Sequence, residues 1–269
     1  MNEKITACLV VCNEEKLIGR CLASLGMSVD EIIVAHDGPC TDKTLEIAEK
    51  FGAKILILPK KGDSDLHRPF VYGQAVDWIL RLDADEFLSE ELKNNLRRLA
   101  GDPEIDCYEF LWPCWNGERY LTRHWPRKAG LFRRQKISFL GIPHFVPIVS
   151  GRTVKTNYIL EHRPEYDNYS WKSFITKWLP RAKNQAEWYG RNFTEIQKLN
   201  YQFSSWPLSV RLRKKYPVLL CLPDLIFGFV KTMFAGWGEN VFFLLKFSLQ
   251  TGLYRLMIDY YLLTAGRKS

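Results

Sequence analysis

Short apolar runs along this chain alternate with segments whose apolar residues recur every three or four positions. Residues 5–12, ITACLVVC, are almost uninterruptedly apolar and β-branched, which predicts a buried strand. In NEEKLIGRCLASL, Leu17, Ile18, Cys21, Leu22 and Leu25 share one helical face. Asn13 is placed to cap that helix, and Glu14 and Glu15 favour its positive end. EIIVAHDG is a second strand ending in a turn, and CTDKTLEIAEKFG a helix with Thr41 or Asp42 as cap and Gly52 as its stop. AKILILP is a third strand, and GQAVDWILRLDAD runs through a helical or irregular segment into a fourth. SEELKNNLRRLA is a helix capped by Ser89, residues 105–160 mix strands and turns, and beyond Trp171 the chain is helical.

The alternation β-α-β-α-β-(α)-β within about 85 residues predicts a doubly wound, mostly parallel α/β sheet. Open sheets of this kind bind ligands at the carboxyl ends of their strands. Three of those ends are polar: Asn13–Glu14, Asp37–Gly38 and Asp83–Ala84–Asp85–Glu86. The topology should bring them together. Residues 1–165 are therefore read as the α/β domain and 166–269 as a basic, aromatic, helical extension.

Composition narrows the class. With 46% apolar and 25% charged residues the chain has the make-up of an ordinary globular protein. Its seven cysteines are scattered and lack a CxxC pair, which excludes a zinc ribbon and a disulfide framework and favours a reducing compartment. The apolar run in MNEKITACLVV is too short for a signal peptide, so a cytoplasmic location is expected. No GxGxxG or GxxxxGK[ST] is present, so neither a dinucleotide site nor a P-loop is supported. NEEKLIGR is not the Gly- and Lys/Arg-rich loop that a nucleotidyltransferase would place after its first strand.

The formal charge of +8 is concentrated: Arg163 to Lys215 holds eleven Lys/Arg against four Asp/Glu. Such a segment suits anionic lipid or a phosphorylated substrate; no nucleic-acid module accompanies it, so nucleic acid is not an expected partner. From Tyr216 the chain becomes apolar and aromatic, but Pro223–Asp224, Lys231, Gly236–Glu239, Lys246, Arg255 and Asp259 interrupt every twenty-residue window. Amphipathic helices at a membrane surface are expected, or else a helical subdomain packed on the sheet.

Among the acids, Asp83 and Asp85 lie two apart at a strand end, where they can aim at one point. Carboxylates without a neighbouring His or Cys suit a hard divalent ion, Mg²⁺ or Mn²⁺, rather than zinc. The plain alternative is a solvated strand end, with Glu86 either ligating or favouring the helix that Ser89 begins. Asp37 is placed to accept hydrogen bonds from a nucleoside, or simply to make an Asp-Gly turn.

CLVVCNEEKLIGRCLASL, DEIIVAHDGPCTDKTLEIAEKFGA and WILRLDADEFLSEEL together resemble the nucleotide-binding half of family 2 glycosyltransferases of the GT-A fold, covering residues 5–92. The CNEE, TD.T.EIA and LDADE elements resemble bacterial enzymes of lipopolysaccharide-core type. The resemblance implies a GT-A, Rossmann-like sheet flanked by helices and a metal-dependent, inverting transfer of sugar from a nucleoside-diphosphate sugar. The acceptor would be a hydroxyl of a cell-surface glycan or lipid-linked molecule, met at the inner face of the cell membrane. It further implies that Val11, Asn13, Glu14 and Asp37 hold the nucleobase and ribose, that Asp83 faces the ribose or donor sugar, and that Asp85, with Asp83, ligates Mg²⁺ or Mn²⁺. Two departures stand out. HDGPCTD replaces the usual DSGSTD or DDGSTD, and SDLHRPF replaces an Ala-Arg-Asn-like segment, with Arg68 a stand-in that reaches phosphate. Base candidates are Glu109, Glu118, His144, Glu161, His162 and Asp167, with His144, Glu109 and Glu161 foremost. Phe145 stands where relatives place a glutamate beside His144, which leaves His144 a base, a metal or phosphate partner, or a structural histidine. His67 and His124 are expected to be ordinary surface or turn residues. A catalytically inactive membrane-peripheral binding protein with the same fold is the rival reading.

Overall fold

A computed structural model describes residues 3–122, 125–139, 143–144, 147–194, 205–235 and 240–265; His124 and Phe145 lie outside them. The strands β1 (Ile5–Val11), β2 (Glu31–Asp37), β3 (Lys54–Leu58) and β4 (Trp78–Leu82) pair in parallel in the order β3-β2-β1-β4. All seven residues of β1 are buried, as a central strand covered on both faces requires. The intervening helices are α1 (Ile18–Leu25), α2 (Thr44–Lys50) and α3 (Arg68–Tyr72), and Ile18, Cys21, Leu22 and Leu25 are the buried face of α1. The expected α/β class and alternation are thus observed.

Beyond β4 the sheet becomes mixed. The short β5 (Glu86–Leu88) leads into α4 (Glu90–Ala100), capped by the Ser89 hydroxyl, which accepts from the Leu92 N–H. Then come β6 (Cys107–Leu111), β7 (Arg127–Arg133), the small pair β8 (Ile137–Ser138) and β9 (Ile148–Val149), and β10 (Thr153–His162). The eight-stranded order is β3-β2-β1-β4-β7-β6-β10-β5, with β7 antiparallel to β4 and β6. β5 therefore lies four places from β4 in the sheet, although only Asp83–Asp85 separate them in the chain. Four inter-strand spacings of about 4.8 Å make about 19 Å, and the four residue steps from Leu82 to Glu86 reach about 14 Å at most. The sheet must curl to close that gap. Asp83 and Asp85 sit in the crook of the curl.

Two helix starts differ from expectation. α1 begins at Ile18, not at Asn13, because Asn13 is used elsewhere: it takes φ +55°, its N–H donates to His36 Nε2, and its Oδ1 accepts from the Thr41 N–H. These bonds tie the ends of β1 and β2 together. α2 begins at Thr44, with Asp42 accepting from the Thr44 N–H, and Gly52 at φ +71° ends it as expected.

The C-terminal region is helical. A turn at Trp171–Ser173 and a π-helical turn at Phe174–Trp178 run directly into α5 (Leu179–Gly190), followed by α6 (Leu208–Lys215), α7 (Pro217–Ala235) and α8 (Val241–Ala265). The sequence led to the expectation that Pro223 and the charges interrupt this region; the helix itself is unbroken at Pro223. α7 runs through Pro223, and Pro217–Phe234 and Val241–Thr264 are each long and apolar enough to cross a membrane. Two of the charges, both acids, are paired inside: Asp224 with Arg213 and Arg255, and Asp259 with Arg213. α7 and α8 approach closely at Gly228 and Gly252; a Cβ on Gly252 would stand 2.6 Å from the Leu225 carbonyl oxygen. Gly252→Ala is therefore expected to destabilise by about 1–3 kcal/mol through overpacking. Gly190→Ala, with open space around it, should be neutral or slightly stabilising. Denaturant midpoints of the two variants test this; equal midpoints would reject the close crossing.

Candidate active site

The carboxyl ends of β1, β2 and β4 converge on a cleft of about 480 Å³, within the range of small-molecule sites. Val11 and Glu14 enter from β1, Asp37 from β2, and Arg81, Asp83 and Asp85 from β4. The loop before α3 supplies Lys60, Asp63, Asp65 and Arg68. Trp112, His144 and His162 close one side, and Tyr166, Asn168 and Arg181 show that residues beyond 165 share the same cleft.

The acids of the β4–β5 turn divide between opposite walls. Asp83 accepts from Arg68 Nη2 at 2.5 Å and from Lys128 Nζ at 3.0 Å. Burial works to raise its pKa, but Lys128, Arg68 and Arg81 outweigh that and hold the carboxyl well below the usual range. Asp85 turns the other way, with Oδ2 3.3 Å from His162 Nε2. His162 is buried, stacks on Trp112 with ring centroids 3.9 Å apart, and has no hydrogen-bond partner at Nδ1 among the described residues.

Glu86 does neither of the things expected of it. It is fully buried in β5 and accepts from the Asp83 N–H at 2.9 Å, Trp112 Nε1 at 2.6 Å and Lys128 Nζ at 2.5 Å. Ser89 begins α4, as expected. A chain of contacts, Asp83–Lys128–Glu86–Trp112–His162–Asp85, thus joins the cleft-lining acids to one another.

Asp37 lines the cleft, but both of its oxygens are engaged by the adjoining loop. They accept from the Lys61 N–H at 2.6 Å, the Gly62 N–H at 2.8 Å and His67 Nε2 at 2.8 Å. Burial opposes ionisation, and these donors more than offset it, so the Asp37 pKa is lowered. His67 is consequently a buried structural partner; it lies in a turn, as expected, but not at the surface. Arg68 is also buried, gripping Asp83 and Asp65, with Nη1 unpartnered among the described residues.

Glu14 feels the acids most. Burial, then Asp85, Asp42 and Asp83, push its pKa up to about 7. His144, at φ +57°, donates its N–H to Asp65 and holds Nε2 3.6 Å from Asp63; burial lowers its pKa, with Asp63 countering. Of the other base candidates, Glu109, Glu118, Glu161 and Asp167 do not line the cleft. Glu161 is held by Tyr120 and Arg163, while Asp167 accepts from the Tyr169 N–H at the start of the C-terminal helices. Asn13 likewise lies outside the lining, engaged between β1 and β2. Sequence reasoning missed Lys128, Trp112 and Arg181. The only local sign of Lys128 is a cation in the strand KAGLF, and no local sign marks the other two.

The model of glycosyl transferase family 2 matches residues 6–158, more than half of the 269. The chain belongs to that family. An uncharacterized glycosyltransferase of Rickettsia conorii is 36% identical over 123 residues, 45% of this chain and 39% of that protein. One of Rickettsia felis is 38% identical over 121 residues, 45% of this chain and 38% of that one. The matched stretch thus spans about two-fifths of these relatives' length. Among solved structures, Staphylococcus aureus TarS 1-349 is similar at 13% identity, covering 98% of this chain and 91% of that one with a TM-score of 0.46, too slight a likeness to bear on function.

Two outcomes follow from the site's electrostatics. Lys128→Met strands the buried Glu86 carboxylate and is expected to cost about 3–5 kcal/mol. Adding Glu86→Gln should recover much of it, and additive losses in the double variant would refute the pairing. In metal-free buffer, folded Glu14 keeps its proton up to about pH 7 whereas the unfolded chain releases it near 4.5, so this group's contribution to stability falls as pH rises between those values and is flat above. Glu14→Gln should flatten that decline in denaturant midpoints from pH 5 to 8; parallel curves would exclude it.

Proposed function

We propose that this cleft transfers a sugar, with inversion, from a nucleoside-diphosphate sugar to a hydroxyl of a glycan or lipid-linked acceptor at the inner face of the cell membrane. One observation carries the reading: Asp83 and Asp85, in the curl between β4 and β5, face one cleft flanked by unsatisfied cationic and imidazole groups. Family membership and the convergence of parallel strand ends on the cleft support it. Residues 1–165 form the donor-binding and catalytic unit, and 166–269 the extension that completes the cleft's far wall.

The residues present fit a divalent ion. Asp85 Oδ2 and His162 Nε2 lie 3.3 Å apart in the cleft, and Glu14's raised pKa marks an excess of negative charge there. Among the described residues no group of three or more His, Cys, Asp or Glu forms a ready cage. Mg²⁺ and Mn²⁺ do not need one, since Mg²⁺ takes one or two protein carboxylates and fills its remaining positions with phosphate and water. Asp85 and His162 would hold the ion, with Asp83 adjoining through its grip on Arg68 and Lys128. When bound, the ion neutralises charge on the diphosphate leaving group.

The chain's own residues do the rest. Val11, Glu14 and Asp37 border the nucleoside end, and Arg68, through its free Nη1, meets a phosphate oxygen. His144, its pKa lowered by burial, is neutral near pH 7 and takes the acceptor's proton at Nε2. The acceptor oxygen bonds to the anomeric carbon as the carbon–phosphate oxygen bond breaks, and the nucleoside diphosphate leaves with the electron pair.

A thermal-shift panel of UDP-, GDP-, dTDP- and CMP-sugars with Mn²⁺ identifies the donor, because a ligand bound only by the native state raises its apparent stability. Asp85→Ala should abolish the Mn²⁺-dependent part of that shift and lower kcat by about 10²–10³-fold. Full transfer activity in EDTA would sink the metal-dependent reading.

A further inference from the structure

We infer that α7 and the first half of α8 form an in-plane docking face for an anionic lipid leaflet, lying in the headgroup–acyl boundary instead of crossing the bilayer. The inference deepens the membrane location proposed above by naming the surface and how it sits. Val218, Leu222, Ile226 and Phe234 are exposed along α7 at 66%, 62%, 51% and 73%, and Phe242 and Leu245 continue the exposed apolar surface on α8 at 81% and 43%. Four-residue steps turn a helix by about 40° each, so these residues wind across the outward half of α7 as an apolar surface larger than scattered surface apolar residues account for.

Charge selects the occupant. Between Pro217 and Ala265 the described carboxylates are Asp224 and Asp259, both buried and held by Arg213 and Arg255. What faces outward among charged side chains is cationic: Lys231 lies 5.9 Å over Phe227, and Arg211 and Lys215 are exposed where α6 meets α7. An apolar surface whose exposed charged neighbours on α6 and α7, among the described residues, are cationic matches acyl chains below anionic headgroups. A second copy of the chain fits poorly, since a two-fold contact would set this cation-rimmed face against itself.

Length permits a span, but the inner face of α8 forbids one. Gln250 Nε2 donates to the Tyr169 carbonyl at 3.1 Å, and Tyr254 donates to Gln185 of α5 at 3.2 Å. Crossing the bilayer would strip these polar groups from the globular body and leave them in hydrocarbon. Because α5 also carries Arg181 to the cleft, the lipid face and the cleft are separated only by packed helices.

The test uses the full chain and flotation with two vesicles, phosphatidylcholine alone and phosphatidylcholine with 30% phosphatidylglycerol. Flotation should be at least tenfold greater with phosphatidylglycerol and should fall in 0.5 M NaCl. Leu222→Glu/Ile226→Glu should lose it tenfold or more with an unchanged melting temperature, and Lys215→Glu/Lys231→Glu should lose only the phosphatidylglycerol-dependent part. Alkaline carbonate should release the bound chain from membranes. Retention after carbonate would overturn the in-plane arrangement in favour of a span, and undiminished flotation of the Leu222/Ile226 variant would overturn the surface. A dimer in solution that the same variant dissociates, without vesicle binding, would assign the face to a second copy. Flotation needs no donor, so intact flotation without any nucleotide-sugar shift would defeat the transferase reading alone.

Discussion

A carboxylate with no exposed surface, Glu86, sits under the turn that joins β4 to β5, and the candidate site depends on how it is satisfied. Burying such a charge is costly unless it is paired and hydrogen-bonded. Lys128 from β7, the Trp112 indole and the Asp83 N–H meet that demand from three different segments. Each donor is thereby fixed. Lys128 is left reaching Asp83, Trp112 is left as the surface on which His162 stacks, and the turn backbone is held so that Asp83 and Asp85 point to opposite walls.

The same economy of shared groups appears at the other side of the cleft. Asp37 organises the Lys61–Gly62 backbone and His67, which in turn sets the loop carrying Asp63, Asp65 and Arg68. Arg68 then returns to Asp83. The Asp37 side and the Asp83 side of the cleft are thus mechanically linked through one short loop. Helix α5 joins this body to the C-terminal helices, with Arg181 at the cleft and Gln185 bonded to Tyr254 of α8. The C-terminal helices and the cleft are thus held together through the same helix.

The elements were largely legible in the sequence because they rest on local patterns. An unbroken apolar run buries β1 whatever lies beside it, apolar residues at helical spacing place the inner face of α1, and Ser89 and Gly52 mark a start and a stop through bonds and dihedrals available within a few residues. The crowding of acids after β4 announced a site for the same reason. The start of α1 was not legible, because the side chain of Asn13 is claimed by Thr41, twenty-eight positions away.

By itself, then, the sequence determined an α/β chain of family 2 glycosyltransferase type with acids at its strand ends. Only the tertiary structure decided what each acid does. Glu86 became a buried counter-ion because Lys128 arrives forty-two residues later in an antiparallel strand, and Asp85 met His162 because the sheet curls. α7 keeps Asp224 within it because Arg213 and Arg255, on neighbouring helices, compensate the charge. Hydrophobic period and capping act within a turn or two of chain, whereas electrostatic compensation depends on distance in space, which no local pattern encodes.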